Sequence, residues 1–226
     1  YALGGSIFFL GYFVFEVPSN LIMNRTGSRM WMARIMITWG LISSCMMFVT
    51  GKWSFYGLRF LLGLAEAGFF PGMILYLTYW FPGYVRARAV SRFMTASAIA
   101  GIVGGPISGA LMQYMDGSAG LAGWQWLFLI EGIPSLVLGV AVLFYLTDRP
   151  EQAQWLSAEE RTWLVERMGR EEKHRSDRHG SSLLEAMSNP RVWLLCGLYF
   201  TLAMGANSFG LYLPQLVNDH FPGRTK

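Results

Sequence analysis

The stretch that decides the fold is Arg59-Phe-Leu-Leu-Gly-Leu-Ala-Glu66-Ala-Gly-Phe-Phe-Pro-Gly72. It places one base and one acid inside an apolar run from Trp53 to Trp80, long enough for a tilted helix to cross a hydrocarbon layer of about 30 Å. An ionised side chain near the centre of a bilayer costs about 2.5 to 3.5 kcal/mol on insertion scales, so such residues usually have a function. The sequence therefore predicts a membrane helix with a charged working face.

Arg59 and Glu66 are seven residues apart. At about 3.6 residues per turn, this spacing brings them within roughly 20° of each other around the helix and about 10.5 Å apart along its axis. Gly63 and Ala67 lie on or near the same face, where small residues let a neighbouring helix approach closely. The distance between the Arg59 and Glu66 side chains suits a small anion or a few waters between them better than a relaxed ion pair. The alternative is a structural pair that neighbouring helices solvate.

The composition excludes an ordinary soluble protein. Hydrophobic residues make up 53% of the 226 positions, charged residues 14%, and the mean hydropathy is +0.35, so we expect a polytopic membrane protein. The net charge of +4 does not indicate a nucleic-acid partner, because the bases cluster at the ends of apolar runs. The pattern of histidines, cysteines and acids predicts no metal site, no cofactor and no enzymatic centre.

Six apolar runs are each long enough to span a bilayer, namely 1–23, 31–50, 54–80, 93–115, 124–147 and 191–217. The predicted fold class is therefore all-α, a polytopic bundle of transmembrane helices. Tyr1 begins within the first run, so we expect the chain to be a fragment.

The short connections between the spans alternate in charge. The second connection has Lys52 alone and the fourth has no base, whereas the first and third are flanked or filled by arginines, namely Arg25, Arg29, Arg34, Arg86, Arg88 and Arg92. Because basic loops stay on the cytoplasmic side, we expect the first and third connections to be cytoplasmic.

One long polar segment, 148–190, follows the fifth span and is expected on the cytoplasmic side. Ser157 to Glu160 and Ser182 to Glu185 both fit a capping box, which predicts two short surface helices. Asn189 and Pro190 then fit the N-cap and first position of the sixth span.

Two further carboxylates lie within the apolar runs. Glu16 shares a helix face with Tyr12, and it is either a second cavity carboxylate or a structural partner of nearby arginines. Glu131 lies about 10 Å from the outer end of the fifth span, at about 1.5 Å per residue. It is either a relay site or the partner of a base elsewhere, and the sequence leaves both roles open.

Glycine and proline predict local features of two spans. Pro71 predicts a kink in the inner half of the third span. Gly101, Gly105 and Gly109 recur every four residues in the fourth span, a period that permits close helix packing.

Four strings together carry a family resemblance, namely Arg59 to Gly72, Phe15-Glu-Val-Pro-Ser-Asn20, Asn24-Arg-Thr-Gly-Ser-Arg29 and Trp126-Leu-Phe-Leu-Ile-Glu-Gly-Ile-Pro134. The chain resembles the anion:cation symporter family of the major facilitator superfamily. Within that family it is most similar to bacterial permeases for tartrate, phthalate, hydroxyphenylacetate and sugar acids. The resemblance covers nearly the whole chain.

The resemblance implies the major facilitator fold, in which the six spans are helices two to seven of an expected twelve. Residues 1–147 are then the transmembrane bundle of the N-terminal half, with helices two to six. Residues 148–190 become the cytoplasmic loop between the halves, and 191–226 the truncated first helix of the C-terminal half.

The resemblance also implies roles for single residues. Glu66 carries the proton, and Arg59, Tyr12 and Ser97 contact the substrate. A basic motif in the first cytoplasmic loop is formed by Asn24, Arg25, Gly27 and Arg29. The Gly105-Pro106 region partly resembles a motif described for antiporters.

The expected function is therefore proton-coupled symport of a small organic carboxylate similar to tartrate, phthalate, hydroxyphenylacetate or a sugar acid. The rival hypotheses are a carboxylate exchanger and a membrane anion sensor that does not transport. The expected partners are the anion, a proton and the lipid bilayer, with no nucleic acid. We further expect a multi-pass protein of the bacterial inner (cytoplasmic) membrane that is monomeric at full length.

Overall fold

The structure is a computed structural model, and it describes residues 2–178 and 187–220. Within these ranges the chain folds into α-helices joined by short connections. Their bounds are α1 Ala2–Thr26, α2 Ser28–Cys45, α3 Lys52–Glu66, α4 Phe69–Trp80, α5 Gly83–Tyr114, α6 Gly123–Tyr145, α7 Ala158–Arg178 and α8 Pro190–His220. Short 3-10 helices cover Met46–Phe48, Ser118–Gly120 and Pro150–Gln152. The all-α prediction is confirmed.

Among the described residues, six stretches are long and apolar enough to cross a membrane, which confirms the predicted number of spans. They are Leu3–Thr26, Ser28–Phe48, Lys52–Trp80, Gly83–Tyr114, Gly123–Tyr145 and Pro190–Gly210. The expected start of the fourth span was wrong, because α5 begins at Gly83 rather than near residue 93. Arg86, Arg88 and Arg92 therefore lie on the first turns of this helix and not in a loop. Arginine is a good helix former, so a basic stretch extends a helix beyond its apolar part.

The helix of the third span is interrupted, but not at Pro71, where the sequence predicts a kink. α3 ends at Glu66, Ala67 is extended (φ −53°, ψ 130°), Gly68 adopts a left-handed conformation (φ 86°), and α4 begins at Phe69. Pro71 falls in the first turn of α4, where the missing N–H has no intrahelical partner to lose. The prediction of a kink caused by Pro71 is therefore wrong, and the glycine three residues earlier makes the break.

Helices α2 and α6 form the most extensive helix contact, and glycines bring them together. A side chain at Gly40 would meet the backbone oxygen of Gly132 at 2.9 Å, and one at Gly139 would meet the backbone nitrogen of Ile37 at 3.0 Å. Ser135 Oγ also donates a hydrogen bond of 2.9 Å to the Met36 carbonyl. Close backbone contact with interhelical hydrogen bonds is typical of membrane bundles.

The glycines of the fourth span do not pack in this way. Within the described ranges, no atom lies within 4 Å of a Cβ built at Gly101, Gly104, Gly105 or Gly109. Helix α5 has no buried residue in the described structure. The close packing that their spacing predicts is therefore not found in the part of the chain that the structure describes.

Part of the long polar segment belongs to the same compact unit as the helices before it. Contacts divide the chain into one unit of residues 1–171 and a second of 172–226. Within the first unit, Tyr76 Oη donates to the Thr147 carbonyl at 2.9 Å, and the rings of Trp80 and Trp155 stack with centroids 5.5 Å apart. Glu171 accepts a hydrogen bond of 3.0 Å from the Gly83 amide and forms an ion pair with Arg86.

Two predicted helix starts in the polar segment are confirmed. At α7, the Ser157 amide donates to Glu160 Oε2 at 3.0 Å and the Glu160 amide donates to Ser157 Oγ at 3.2 Å, which is a capping box. At α8, Asn189 Oδ1 accepts from the Arg191 amide at 3.0 Å. The other predicted capping box, Ser182 to Glu185, lies outside the described residues.

Candidate functional site

The site is built on the contact between α1 and α3. A Cβ placed at Gly11 would lie 2.6 Å from the Phe60 carbonyl oxygen, and one at Gly63 would lie 3.0 Å from the Tyr12 amide and clash with the Phe8 carbonyl. Only glycine at both positions lets the two backbones meet. This contact sets the Tyr12 backbone beside Gly63, one helical turn after Arg59 and just under one turn before Glu66.

Arg59 is partly buried on α3, and its guanidinium carbon lies 5.2 Å from the centre of the Phe55 ring. Its Nε is buried and has no hydrogen-bond partner among the described residues. An unmet buried donor costs about 1 to 3 kcal/mol, and more when it is charged. Arg59 therefore offers a donor that an incoming anion can satisfy.

Glu66 is the last residue of α3 and is also partly buried. Ion pairs in the described part of the chain join Arg86 to Glu171, Arg167 to Glu171, and Arg170 to Glu166, so Arg59 and Glu66 are not paired there. The C-terminus of a helix carries partial negative charge, and a carboxylate adds to it instead of offsetting it. Among the residues that the structure describes, no base is within ion-pair distance of Glu66.

The structure does not bring Ser97 into this group. Ser97 is exposed on α5, a helix that packs mainly on α4 and α6. Its predicted contact with substrate therefore stays a prediction.

The two further carboxylates have different surroundings. Glu16 is partly buried on α1, and its backbone carbonyl accepts a hydrogen bond of 2.9 Å from Asn20 Nδ2. Glu131 is exposed on α6 and accepts a hydrogen bond of 2.6 Å from Ser108 Oγ on α5. The sequence analysis missed Ser108 as a partner of Glu131, although Ser108 lies within one turn of Gly105 and Pro106 in the fourth span. Neither carboxylate forms an ion pair within the described ranges.

The basic turn between α1 and α2 is organised by an acid that the sequence analysis did not single out. Gly27 has a φ of 92°, and Asp148 Oδ1 lies 3.0 Å from the position a Cβ would take there. The same oxygen accepts a hydrogen bond of 2.7 Å from the Arg29 amide, in the first turn of α2. A carboxylate at a helix N-terminus satisfies a free N–H and the helix dipole. The sequence did contain a signal for this contact, because Asp148 is an acid that directly follows the fifth span.

Other groups hold the same turn. Tyr79 Oη donates to Asn24 Oδ1 at 3.3 Å, and the Arg149 guanidinium lies 3.7 Å above the Tyr79 ring. The turn thus joins the end of α1, the end of α4 and the residues after α6. Asn24, Gly27 and Arg29 all take part in these contacts, and Arg25 lines the polar cavity beside them.

Comparisons with known proteins agree with this architecture. Residues 1–222 match the family described as the Major Facilitator Superfamily. A "Putative tartrate transporter" of Agrobacterium vitis is 53% identical over 219 residues, which are 97% of this chain and 50% of that protein. The "Putative metabolite transport protein NicT" of Pseudomonas putida is 46% identical, with 97% of this chain and 50% of that protein covered.

A third relative is the "Inner membrane transport protein RhmT" of Escherichia coli, which is 40% identical over 96% of this chain and 50% of its own length. The chain spans about half the length of the curated relatives it matches. With six stretches in its described part that are long and apolar enough to cross a membrane, and a family match over residues 1–222, the chain belongs to the Major Facilitator Superfamily.

Proposed function

We propose that this chain is part of a secondary transporter that carries a small organic carboxylate together with a proton. The observation that carries the proposal is the arrangement on α3. Arg59 has a buried donor without a partner, and Glu66, on nearly the same face, has no ion-pair partner in the described structure. The name of the tartrate transporter supports an organic acid as substrate. The transport names of the relatives favour a transporter over an enzyme.

Arg59 attracts the anion in this mechanism. A guanidinium holds a carboxylate through parallel N–H donors, which gives both charge and orientation. Tyr12, whose backbone lies beside Gly63, contacts the same substrate, and Ser97 contributes a polar group from α5. The site therefore selects small anions with a carboxylate at one end.

Glu66 takes up the proton. A bound anion brings a second negative charge close to this carboxylate, and a proton on Glu66 removes the repulsion between the two. Binding of the anion and uptake of the proton therefore favour each other. The proton on Glu66 offsets the charge that a singly charged anion adds, so the loaded site carries no more net charge than the empty one while the two halves rock around it.

The remaining part of the site comes from a second bundle of helices. Transporters of this kind bind substrate near the midplane, between two halves that rock against each other. Residues 1–147 belong to one such half. We place the full protein in the bacterial inner membrane as a monomer, with the arginine-rich ends of α1, α2 and α5 in the cytoplasm. The name of the Escherichia coli relative supports this membrane.

Uptake into proteoliposomes tests the proposal. The purified full-length protein is screened with tartrate, aromatic acids and sugar acids, with and without an imposed inward proton gradient. Symport predicts accumulation of one acid class that requires the gradient. Accumulation that depends on internal carboxylate, and not on the gradient, would assign exchange instead. Saturable binding without flux would assign a sensor.

A further inference from the structure

The break in the third span leaves Glu66 at a helix end. Two residues, Ala67 and Gly68, separate α3 from α4. If α3 ended one residue earlier, Glu66 would leave the helix and its side chain would no longer follow the helical period of Arg59. The position of the break therefore decides where the Glu66 carboxyl group lies.

A serine from another helix occupies the space beside this break. Ser19 on α1 is fully buried, and its Oγ fills the place that a side chain at Gly68 would need. The next residue, Asn20, lies close as well, since its Nδ2 is 3.2 Å from the same position. Gly68, with a φ of 86°, therefore lies against α1 where a side chain would not fit.

Ser19 is in turn held by a third helix. Trp31 in the first turn of α2 donates a hydrogen bond of 2.9 Å from Nε1 to Ser19 Oγ. The Arg34 guanidinium carbon lies 4.0 Å from the centre of the Trp31 ring, a cation–π contact. Three helices thus meet at one buried hydroxyl group beside the break.

We propose that Ser19, held by Trp31, is a positioning residue for Glu66. The hydroxyl group fixes the break directly after Glu66 and so keeps the carboxyl group at the depth where it meets the anion bound by Arg59. This inference rests on the proposed role of Glu66 in proton coupling. It links the turn that begins α2 to the proton site through two side chains.

A merely structural role for Ser19 predicts something different. A buried hydroxyl group that only stabilises the bundle would, when removed, lower thermal stability and yield without altering proton coupling. A positioning role changes the pH dependence of transport and loosens the break. The charged or titratable residues within four positions of Ser19, Trp31 or Gly68 along the chain are Glu16, Arg29, Arg34 and Glu66 itself. None of these is altered in the variants of Ser19 and Trp31 below.

The test uses the full-length protein with Ser19→Ala, Trp31→Phe and the double variant. Trp31→Phe keeps an aromatic ring and removes only the N–H donor, so it serves where Ser19→Ala folds poorly. The matched control is Ser135→Ala, which removes another hydroxyl group that joins two helices, far along the chain from the break. Two quantities are measured: the pH midpoint of proton-driven uptake, and hydrogen exchange of the amides from Ala67 to Gly72.

We expect Ser19→Ala and Trp31→Phe each to shift the pH midpoint by about half a unit or more and to speed the exchange of these amides at least about threefold. The double variant should add little to either single change, because both remove the same hydrogen bond. Ser135→Ala should leave both quantities unchanged. Wild-type exchange of these amides in both single variants would overturn the proposal.

The same experiment separates this inference from the proposed function. If the wild-type protein shows no proton-driven uptake, the proposed function is wrong. If Glu66→Gln retains that uptake, Glu66 is not the proton carrier, whatever the break does. If Glu66→Gln abolishes it while Ser19→Ala and Trp31→Phe keep the wild-type pH midpoint, Glu66 is the coupling residue and Ser19 does not position it.

Discussion

The Asp148 carboxylate accepts a hydrogen bond of 2.7 Å from the Arg29 backbone amide, although 119 residues separate the two in sequence. This contact caps α2 with a side chain that follows α6, and it closes the turn around Gly27. The end of the fifth span is thereby tied to the first connection of the bundle.

Loss of this cap should lower stability. Asp148→Ala removes the acceptor and leaves the Arg29 amide unmet, so we expect the free energy of unfolding to fall by about 1 kcal/mol. Thermal unfolding of the purified protein in detergent measures it. Asp148→Asn keeps an acceptor oxygen and should lose less. An unfolding temperature for Asp148→Ala equal to that of the wild type would refute the capping role.

The contact between α1 and α3 should tolerate no side chain at Gly63. Gly63→Ala drives a methyl group into the Phe8 carbonyl, so we expect a destabilisation of about 1 to 3 kcal/mol. Gly57 on the same helix is the matched control, because a Cβ there has no described atom within 4 Å. Gly57→Ala should be neutral or stabilising by up to about 1 kcal/mol, since alanine favours helix. Equal unfolding temperatures for the two variants would argue against the close contact.

The stability of the first turn of α7 should depend on pH in the acid range. The Ser157 amide and hydroxyl group lower the pKa of Glu160 below 4.5, its ordinary value. A carboxylate with a lowered pKa stabilises the folded helix above its unfolded pKa, and that stabilisation is lost as the pH falls through the lowered value. Hydrogen exchange of the Ser157 amide should therefore speed up in the range below about pH 4.5. Glu160→Gln should remove this pH dependence, and a wild-type pH profile in that variant would contradict the assignment.

Arg59 should matter for affinity more than for folding. Arg59→Ala removes the proposed charged donor to the anion, so we expect binding of the substrate to weaken roughly tenfold to a hundredfold. Equilibrium binding to the full-length protein measures this loss, with expression and thermal stability as controls. Wild-type affinity in Arg59→Ala would remove this residue from the site.

The sequence predicts the spans well because their signal is local. Each span is a continuous apolar run, and the seven-residue spacing of Arg59 and Glu66 is read directly from a helical period. The start of α5 is harder to predict from the sequence. The apolar run begins only after Arg86, Arg88 and Arg92, whereas the helix includes these three residues.

The remaining features depend on residues far apart in sequence. The break follows Glu66, and not Pro71, and lies at Gly68, which packs against Ser19 of α1. The cap of α2 comes from Asp148, and Glu131 finds its partner in Ser108 on the preceding span. No local pattern specifies such pairs, because each needs the helices to be packed first.

The most direct test of the central claim is proton-driven accumulation by Glu66→Gln in proteoliposomes that contain the full-length protein. The glutamine has nearly the shape of the acid and carries no titratable proton. We predict that accumulation under an inward proton gradient disappears while binding of the anion and its exchange across the membrane persist. Accumulation at the wild-type level in this variant would contradict the assignment of Glu66 as the proton carrier.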